Sequence, residues 1–197
     1  MGPFVYKTSF ENTATGATSP PLGGFALLVQ GDANDHSGLE IGLFYMHKNY
    51  YRQLAGSWMA ENTELMHITM GYHYWLTSRF AASLSFSSAY SMGSVKRVHS
   101  DFVPGSEIDT SARDATEYGF DLSLQSELWS QDKLSLVLDT RYFRSVTPKV
   151  NESADHYGAI LSLSYLFQEK FHTASNPVST PSTSVPTPPP QPPSIKK

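Results

Sequence analysis

The sequence predicts an all-β protein, an eight-stranded antiparallel up-and-down transmembrane β-barrel with a disordered proline-rich C-terminal tail. Three observations predict it. Apolar and polar side chains alternate with period two in eight segments, as in strands that have two different faces. Short and long connections between these segments alternate, as in membrane barrels. Charged residues make up only 16% of the 197 residues, yet no apolar run approaches the ~18 residues that a spanning helix needs.

The closing segment, residues 154–167, shows the alternation most clearly. One face carries Leu161, Leu163, Tyr165 and Phe167, whereas the other face is mostly small or polar. A last strand written Leu-x-Leu-x-Tyr-x-Phe is similar to the C-terminal signal of bacterial outer-membrane barrels. This resemblance implies recognition by the barrel-assembly machinery, with these four residues as the insertion signal.

Seven segments with the same alternation precede the closing strand. In chain order, the predicted strands are residues 22–30, 38–46, 49–59, 64–76, 79–93, 114–129 and 133–144. In the third of these we expect Tyr50, Leu54 and Trp58 to point outward, and Arg52 to extend its charge toward the rim.

The composition of the two faces indicates which one points outward. In segment 79–93 large apolar side chains alternate with alanine and serine, which fill a narrow lumen well but solvate a surface poorly. We therefore expect the apolar face to contact lipid, with aromatic girdles at both ends. The predicted girdles are Tyr45, Tyr72, Tyr74, Phe80, Tyr165 and Phe167 at the turn side, and Trp58, Tyr90, Tyr118, Tyr142 and Tyr157 at the loop side. A soluble lipocalin-like barrel of opposite polarity is the alternative.

The connections predict how the barrel is oriented. They fall at residues 31–37, 46–49, 60–63, 77–78, 94–113, 130–132 and 145–153, and the second, fourth and sixth are short. Outer-membrane barrels have short periplasmic turns and longer extracellular loops. We therefore expect a bacterial outer-membrane location with both termini in the periplasm.

Three regions are predicted along the chain. Residues 1–20 are polar and are expected to form an N-terminal arm or plug, although a ninth strand or the remnant of a larger barrel is an alternative. Residues 21–168 form the barrel. Residues 169–197 are rich in serine, threonine and proline, a composition that favours extended chain over a packed core.

A barrel of eight strands followed by a proline-rich tract resembles the outer membrane protein A (OmpA) family. The specific motif that carries the resemblance is the closing strand described above. In that family a linker of this kind joins the barrel to a periplasmic peptidoglycan-binding domain, and the resemblance implies that residues 1–197 correspond to the barrel and linker parts. Contact of residues 174–197 with a periplasmic protein or peptidoglycan is one interpretation of this tract, and a linker that acts only as a spacer is the alternative.

Charged residues on the lumen face predict an internal ion network. If Trp129 faces Lys133 across a tight turn, Asp121 falls opposite Arg141. The other carboxylates on this face are Glu40, Glu117, Glu127 and Asp139. A packed, internally neutralised plug is one interpretation, and a switchable gate is the other.

No catalytic, cofactor or metal site is predicted. The chain has no cysteine, which excludes disulfides and thiol chemistry, and its net charge of −4 gives no electrostatic case for nucleic acid. His67 and His73 lie six residues apart on one strand, or ~20 Å, too far to share a metal ion. A Ser–His–carboxylate triad would need the loop residues His99, Ser100, Asp101, Asp109 and Asp114 to converge in the fold.

The predicted function is a non-enzymatic structural or interaction protein that anchors a periplasmic tail and has no open pore. Its partners would be outer-membrane lipids and lipopolysaccharide, with Lys96 and Arg97 as candidate contacts to lipopolysaccharide phosphates. A lipid-modifying outer-membrane enzyme and a small-ligand carrier or narrow transporter are the alternatives.

Overall fold

The structure, a computed structural model, describes residues 1–104 and 108–167. Its strands are β1 Gly2–Thr8, β2 Glu11–Asn12, β3 Ala17–Thr18, β4 Leu22–Asn34, β5 Ser37–Leu54, β6 Ser57–Trp75, β7 Phe80–Ser91, β8 Lys96–Ser100, β9 Thr116–Gln131, β10 Leu134–Ser145, β11 Glu152–Ser153 and β12 His156–Tyr165. A short 3-10 helix spans Ser111–Arg113. Within the described ranges, no helix is long and apolar enough to cross a membrane. The predicted tail, residues 169–197, lies outside the described residues.

The long strands close into a ring of antiparallel neighbours. Ten strands form one sheet, and since β8 and β11 pair on one side only, eight strands remain in the ring. β1 closes it, because Phe4 pairs with Gly24 of β4 and with Ile160 of β12. A closed ring leaves no unpaired strand edge. The predicted all-β, eight-stranded, up-and-down barrel is confirmed.

The ring has an apolar exterior and a polar or aromatic lumen. On β9, Leu122 and Leu124 are 52% and 57% exposed, whereas Asp121 and Ser123, which alternate with them, are buried. The same alternation exposes large apolar or aromatic side chains on every ring strand. In strand order, examples are Val5, Val29, Ile41, Met70, Phe86, Leu122, Tyr142 and Leu163. The apolar parity predicted from the sequence is therefore the outward one.

The connections differ between the two ends of the ring. The short-turn end has the connections 35–36, 76–79 and 132–133, together with Met1 and Phe167. The long-loop end has the connections 9–21, 92–115 and 146–155, and the β5–β6 turn at 55–56. Both ends of the described barrel chain therefore lie at the short-turn end.

The expectation of an N-terminal arm or plug is wrong for Gly2–Thr8, which form the first ring strand. The sequence pattern misled because β1 turns its aromatic side chains inward: Phe4 and Tyr6 are 2% exposed, while Val5 and Lys7 point outward. Aromatic side chains thus take the inward positions of β1, where most other ring strands have small or polar side chains. The ring has eight strands with this segment as the first of them, so it is not the ninth strand that was the alternative.

The separate strand predicted at 49–59 does not exist. β5 and β6 are single long strands that pair continuously from Ser37–Tyr74 to Leu54–Ser57. The chain reverses at Ala55 and Gly56, whose positive φ angles of 50° and 86° form the tight turn. The strand gained at the N-terminus and the strand lost here explain why the predicted count of eight is nevertheless right.

Three details of the sequence interpretation change with this hairpin. The connections predicted at 46–49 and 60–63 lie inside β5 and β6, and residues 35–36 form a short turn instead. Tyr50, predicted to point outward, is 1% exposed. Tyr45 was assigned to the turn side, but its pairing with Phe25 and Met66 places it toward the long-loop end.

A small sheet extends from the ring at the long-loop end. Beyond Met46 and Leu65, β5 and β6 have no ring neighbour and pair with each other, with β8 and with β11. We call the four paired segments, β11, residues 47–54, residues 57–64 and β8, the outer sheet.

Candidate functional site: the lumen layers and the outer sheet

Arg141 is the centre of the first lumen layer. Its guanidinium donates hydrogen bonds to Glu40 at 2.6 Å, to Asp139 at 2.8 Å and to Asp121 at 3.0 Å. These side chains extend from β5, β9 and β10, and all are buried. The layer thus holds one guanidinium among three carboxylates, each of which accepts a hydrogen bond from it.

The contact between Asp121 and Arg141 forms in a different register from the predicted one. Arg141 pairs with Ser123, and Asp121 pairs with Phe143, because the turn pairs Gln131 with Leu134 instead of Trp129 with Lys133. A β-bulge at Leu136/Val137 then changes the register by one residue. The two charged side chains therefore lie diagonally rather than directly opposite. Diagonal neighbours on one sheet face remain within reach of a long side chain.

Two amide side chains connect the carboxylates of this layer. Gln125 donates to Glu40 at 2.7 Å and to Asp139 at 3.2 Å, and Gln30 donates to Glu40 at 2.8 Å. Sequence analysis did not assign Gln30 to the network. The alternation along β4 indicates its position: Val29 points outward, so the adjacent Gln30 faces the lumen.

Glu117 belongs to a separate layer nearer the long-loop end. Lys48 donates to both carboxylate oxygens of Glu117 at 2.8 Å, and the Tyr50 hydroxyl donates to it at 2.6 Å. All three side chains are buried. Sequence analysis missed Lys48 because residues 46–49 were interpreted as a connection.

Glu127 does not join the lumen network. It lies on the β9 side of the bulge, opposite Val137, and is partly exposed. Among the described residues, the carboxylates on Arg141 are those of Glu40, Asp121 and Asp139 alone.

An aromatic layer separates the two charged layers. His67, Phe143 and His156 have ring centroids 4.7–5.7 Å apart, and His67 is hydrogen-bonded to Ser87. Phe44 packs on the His67 ring at 5.7 Å. No group of three potential metal ligands occurs in the described chain. The rings fill the cross-section between Arg141 and Lys48.

The outer sheet carries a third charged cluster around Glu61. Arg113 donates to Glu61 at 2.6 Å and the Thr110 hydroxyl donates at 2.8 Å, while Arg97 lies at 3.9 Å. Burial raises the pKa of Glu61, but the hydrogen bonds from Arg113 and Thr110 outweigh it and hold the pKa below its usual value. The cluster fastens the 3-10 helix to the outer sheet.

Asp109 joins two long loops at the same end. Lys149 donates to its carboxylate at 2.8 Å, and Arg52 lies at 3.3 Å. The Lys149 hydrogen bond lowers the pKa of Asp109, although its side chain is 48% exposed. Arg52 therefore contacts a loop instead of extending along the rim as predicted.

The candidate lipopolysaccharide contacts, Lys96 and Arg97, lie on β8. Both side chains are exposed or half-exposed, and Arg97 is oriented toward Glu61 in an open cleft of about 450 Å³. Lys96 pairs through its backbone with Asn62 of β6.

The structure brings together part of the possible triad. His99 contacts Asp101 at 2.8 Å and stacks on the Trp58 ring at 3.8 Å. The Ser100 hydroxyl instead accepts a hydrogen bond from the Phe102 backbone. Asp109 and Asp114 contact Lys149, so these five residues do not form one site.

The predicted insertion signal lies on the outer surface of β12 and just after it. Leu161, Leu163 and Tyr165 are 47–52% exposed, and Phe167 is 86% exposed at the short-turn end.

The chain matches no family model and no curated protein sequence. Among solved structures, it is similar to Ail, the attachment invasion locus protein of Yersinia pestis, which was crystallised in complex with the heparin analogue sucrose octasulfate. The two have 10% sequence identity and a TM-score of 0.45, over 83% of this chain and 93% of that chain. A likeness of this size carries no argument about ligand or activity.

Proposed function

We propose that the protein is a non-enzymatic outer-membrane β-barrel of a bacterial envelope, a structural or interaction protein. The observation that carries the proposal is the exterior of the ring. Its apolar side chains form a continuous band that no other described segment covers, and water-soluble monomers rarely expose apolar patches of more than a few hundred Å². Tyrosines border this band, as Tyr90, Tyr118 and Tyr157 do at the long-loop end.

The packed lumen supports a barrel without an open pore. Arg141 with its carboxylates, the aromatic layer around His67, and the Lys48–Glu117 pair follow each other along the axis. An eight-stranded ring is just wide enough for side chains to fill. We expect no steady conductance when the protein is inserted into a planar bilayer.

The difference between the two ends supports an orientation. Short turns typically face the periplasm and long loops the exterior, so both termini would be periplasmic and the outer sheet extracellular. The tail predicted at 169–197 would then meet a periplasmic protein or peptidoglycan through residues 174–197. On the outer sheet, Lys96 would contact lipopolysaccharide together with Arg97.

Refolding into lipid tests the membrane location. The chain, diluted from urea into phosphatidylcholine vesicles, is expected to float with them and to migrate differently in SDS before and after boiling. A compact monomer that stays in solution without lipid or detergent contradicts the proposal.

The insertion signal has a separate test in cells. Phe167→Ala removes the most exposed aromatic side chain of the short-turn end, and we expect slower or failed assembly into the outer membrane. Val150→Ala, at an apolar side chain 76% exposed in a long loop, is the matched control and is expected to assemble normally. Normal insertion of Phe167→Ala contradicts the assignment.

A further inference from the structure

We infer that Lys7 and Arg144 form a phosphate-binding site on the outer wall of the ring, and that its ligand is lipopolysaccharide. The inference rests on the proposed membrane location. It names a lipid contact on the wall of the barrel, distinct from Lys96 and Arg97 on the outer sheet.

Lys7 and Arg144 are exceptional on the exterior of the ring. They are the only lysine and arginine on the outward face of the described ring strands, since Lys48 and Arg141 lie in the lumen. Val5 on β1 and Tyr142 on β10 precede them on the same face and are exposed. Lys7 and Arg144 therefore lie at the edge of the apolar band, at the long-loop end.

The strand register brings the two cations near each other. Lys7 pairs with Tyr157 of β12, and Tyr157 pairs with Tyr142 of β10, two residues before Arg144. Lys7 and Arg144 are separated by two interstrand spacings across the sheet and by two residues along the strand direction. Their Cα atoms therefore lie roughly 12 Å apart. Long lysine and arginine side chains extend their charges along an apolar surface, so both can reach one anion between them.

Neither cation is neutralised within the described chain. Asp155, a carboxylate beside Tyr142, accepts hydrogen bonds from the Ser145 backbone at 2.9 Å and from the Tyr142 hydroxyl at 3.0 Å. It forms no ion pair with Lys7 or Arg144. With Asp155 counted, the group keeps an excess positive charge that favours an anion from outside.

The surroundings of the two cations fit a phosphorylated lipid. Tyr142 and Tyr157 lie at the level where aromatic side chains meet lipid headgroups. Toward the short-turn end, Val5 and Leu161 continue the apolar surface on which acyl chains can lie. In the proposed orientation this is the outer leaflet, where the phosphates belong to lipopolysaccharide.

The test uses the full chain in phosphatidylcholine nanodiscs, titrated with fluorescent lipid A. Lys7→Gln/Arg144→Gln is expected to weaken binding about tenfold, since charge-assisted hydrogen bonds contribute about that much. Arg79→Gln/Lys133→Gln removes the same formal charge at the short-turn end and is expected to bind as the parent does.

Each outcome decides the question. Unchanged lipid A binding by the Lys7/Arg144 variant overturns the inference. Equal binding of phosphatidylglycerol, lost in the same variant, shows a general phosphate site and overturns the assignment to lipopolysaccharide. Failure of the parent chain to enter nanodiscs would instead count against the proposed function.

Discussion

Arg141 shows how one side chain can organise the interior of the ring. It contacts Asp139 on its own strand, Asp121 on the neighbouring strand β9, and Glu40 on β5, 101 residues away in the sequence. A buried ion network contributes little net stability compared with an apolar core of the same shape. Removing one partner is costly, however, because the remaining charges stay buried without compensation.

We therefore expect Arg141→Met to lower the free energy of unfolding by about 3–5 kcal/mol. The reason is that three carboxylates would lose their shared cation. Urea unfolding in vesicles, followed by tryptophan fluorescence, measures the change. Arg79→Met, at an exposed turn residue, is the control and is expected to change stability by less than about 0.5 kcal/mol. A similarly small effect of Arg141→Met would refute the network's role.

Asp109 gives a pH-dependent contact between two long loops. Its pKa is lowered, chiefly by the hydrogen bond from Lys149, so the folded contact favours the ionised form. The contact is therefore complete above the ordinary carboxyl pKa of about 3.9, and is lost as pH falls through the lower folded value. Burial raises the pKa of Glu152 instead, so that group titrates at higher pH.

Amide NMR shifts of Thr110 and Val150 between pH 6 and 2.5 follow this contact. We expect an acid transition in the parent chain that is absent in Asp109→Asn. The same transition in Asp109→Asn would show that another group causes it.

The inward residues could be predicted only where the strand boundaries were right. Ser83, Ser85, Asp121 and Arg141 lie on the face that simple alternation assigns to the lumen. Lys48 escaped detection because β5 continues where a turn was expected. Ion partners such as Glu40 and Arg141, 101 residues apart, cannot be paired from sequence because ring closure sets their distance.

At the scale of elements, two predictions were wrong for different reasons: the N-terminal arm in place of β1, and the separate strand at 49–59. β1 was missed because its inward face is aromatic rather than small, with Phe4 and Tyr6 filling space beside Gly24 and Gly158. The β5–β6 hairpin was divided because residues 46–49 and 60–63, which lie inside the two strands, were interpreted as connections. The turn at Ala55 and Gly56 carries the signal for the longer hairpin.

Gly158 tests the closure of the ring by β1. A Cβ atom added there would lie 2.6 Å from the Phe4 ring and also contact the Val5 backbone. We expect Gly158→Val to displace β1 and lower the free energy of unfolding by about 1–3 kcal/mol.

Urea unfolding in vesicles measures the effect of Gly158→Val. The control is Ala159→Val, which adds bulk at the adjacent outward position and is expected to fold normally. Parent-like stability of Gly158→Val would contradict the tight packing of β1 against β12.

At the scale of the whole molecule, the sequence predicts the architecture better than its parts. The alternation of apolar and polar residues identifies the outward face on the ring strands other than β1. It does so because lipid and lumen require opposite kinds of side chain. The course of the chain through the long-loop end was not predictable, since the outer sheet depends on pairings such as Glu61 with Arg97.

The central claim is that the apolar exterior of the ring contacts lipid. The accessibility of spin labels tests it most directly. The chain has no cysteine, so Leu124→Cys and Val98→Cys each accept one label in vesicles. The account predicts that the Leu124 label collides with oxygen and is shielded from a water-soluble nickel complex, with the reverse at Val98. Equal nickel access at both positions would contradict it.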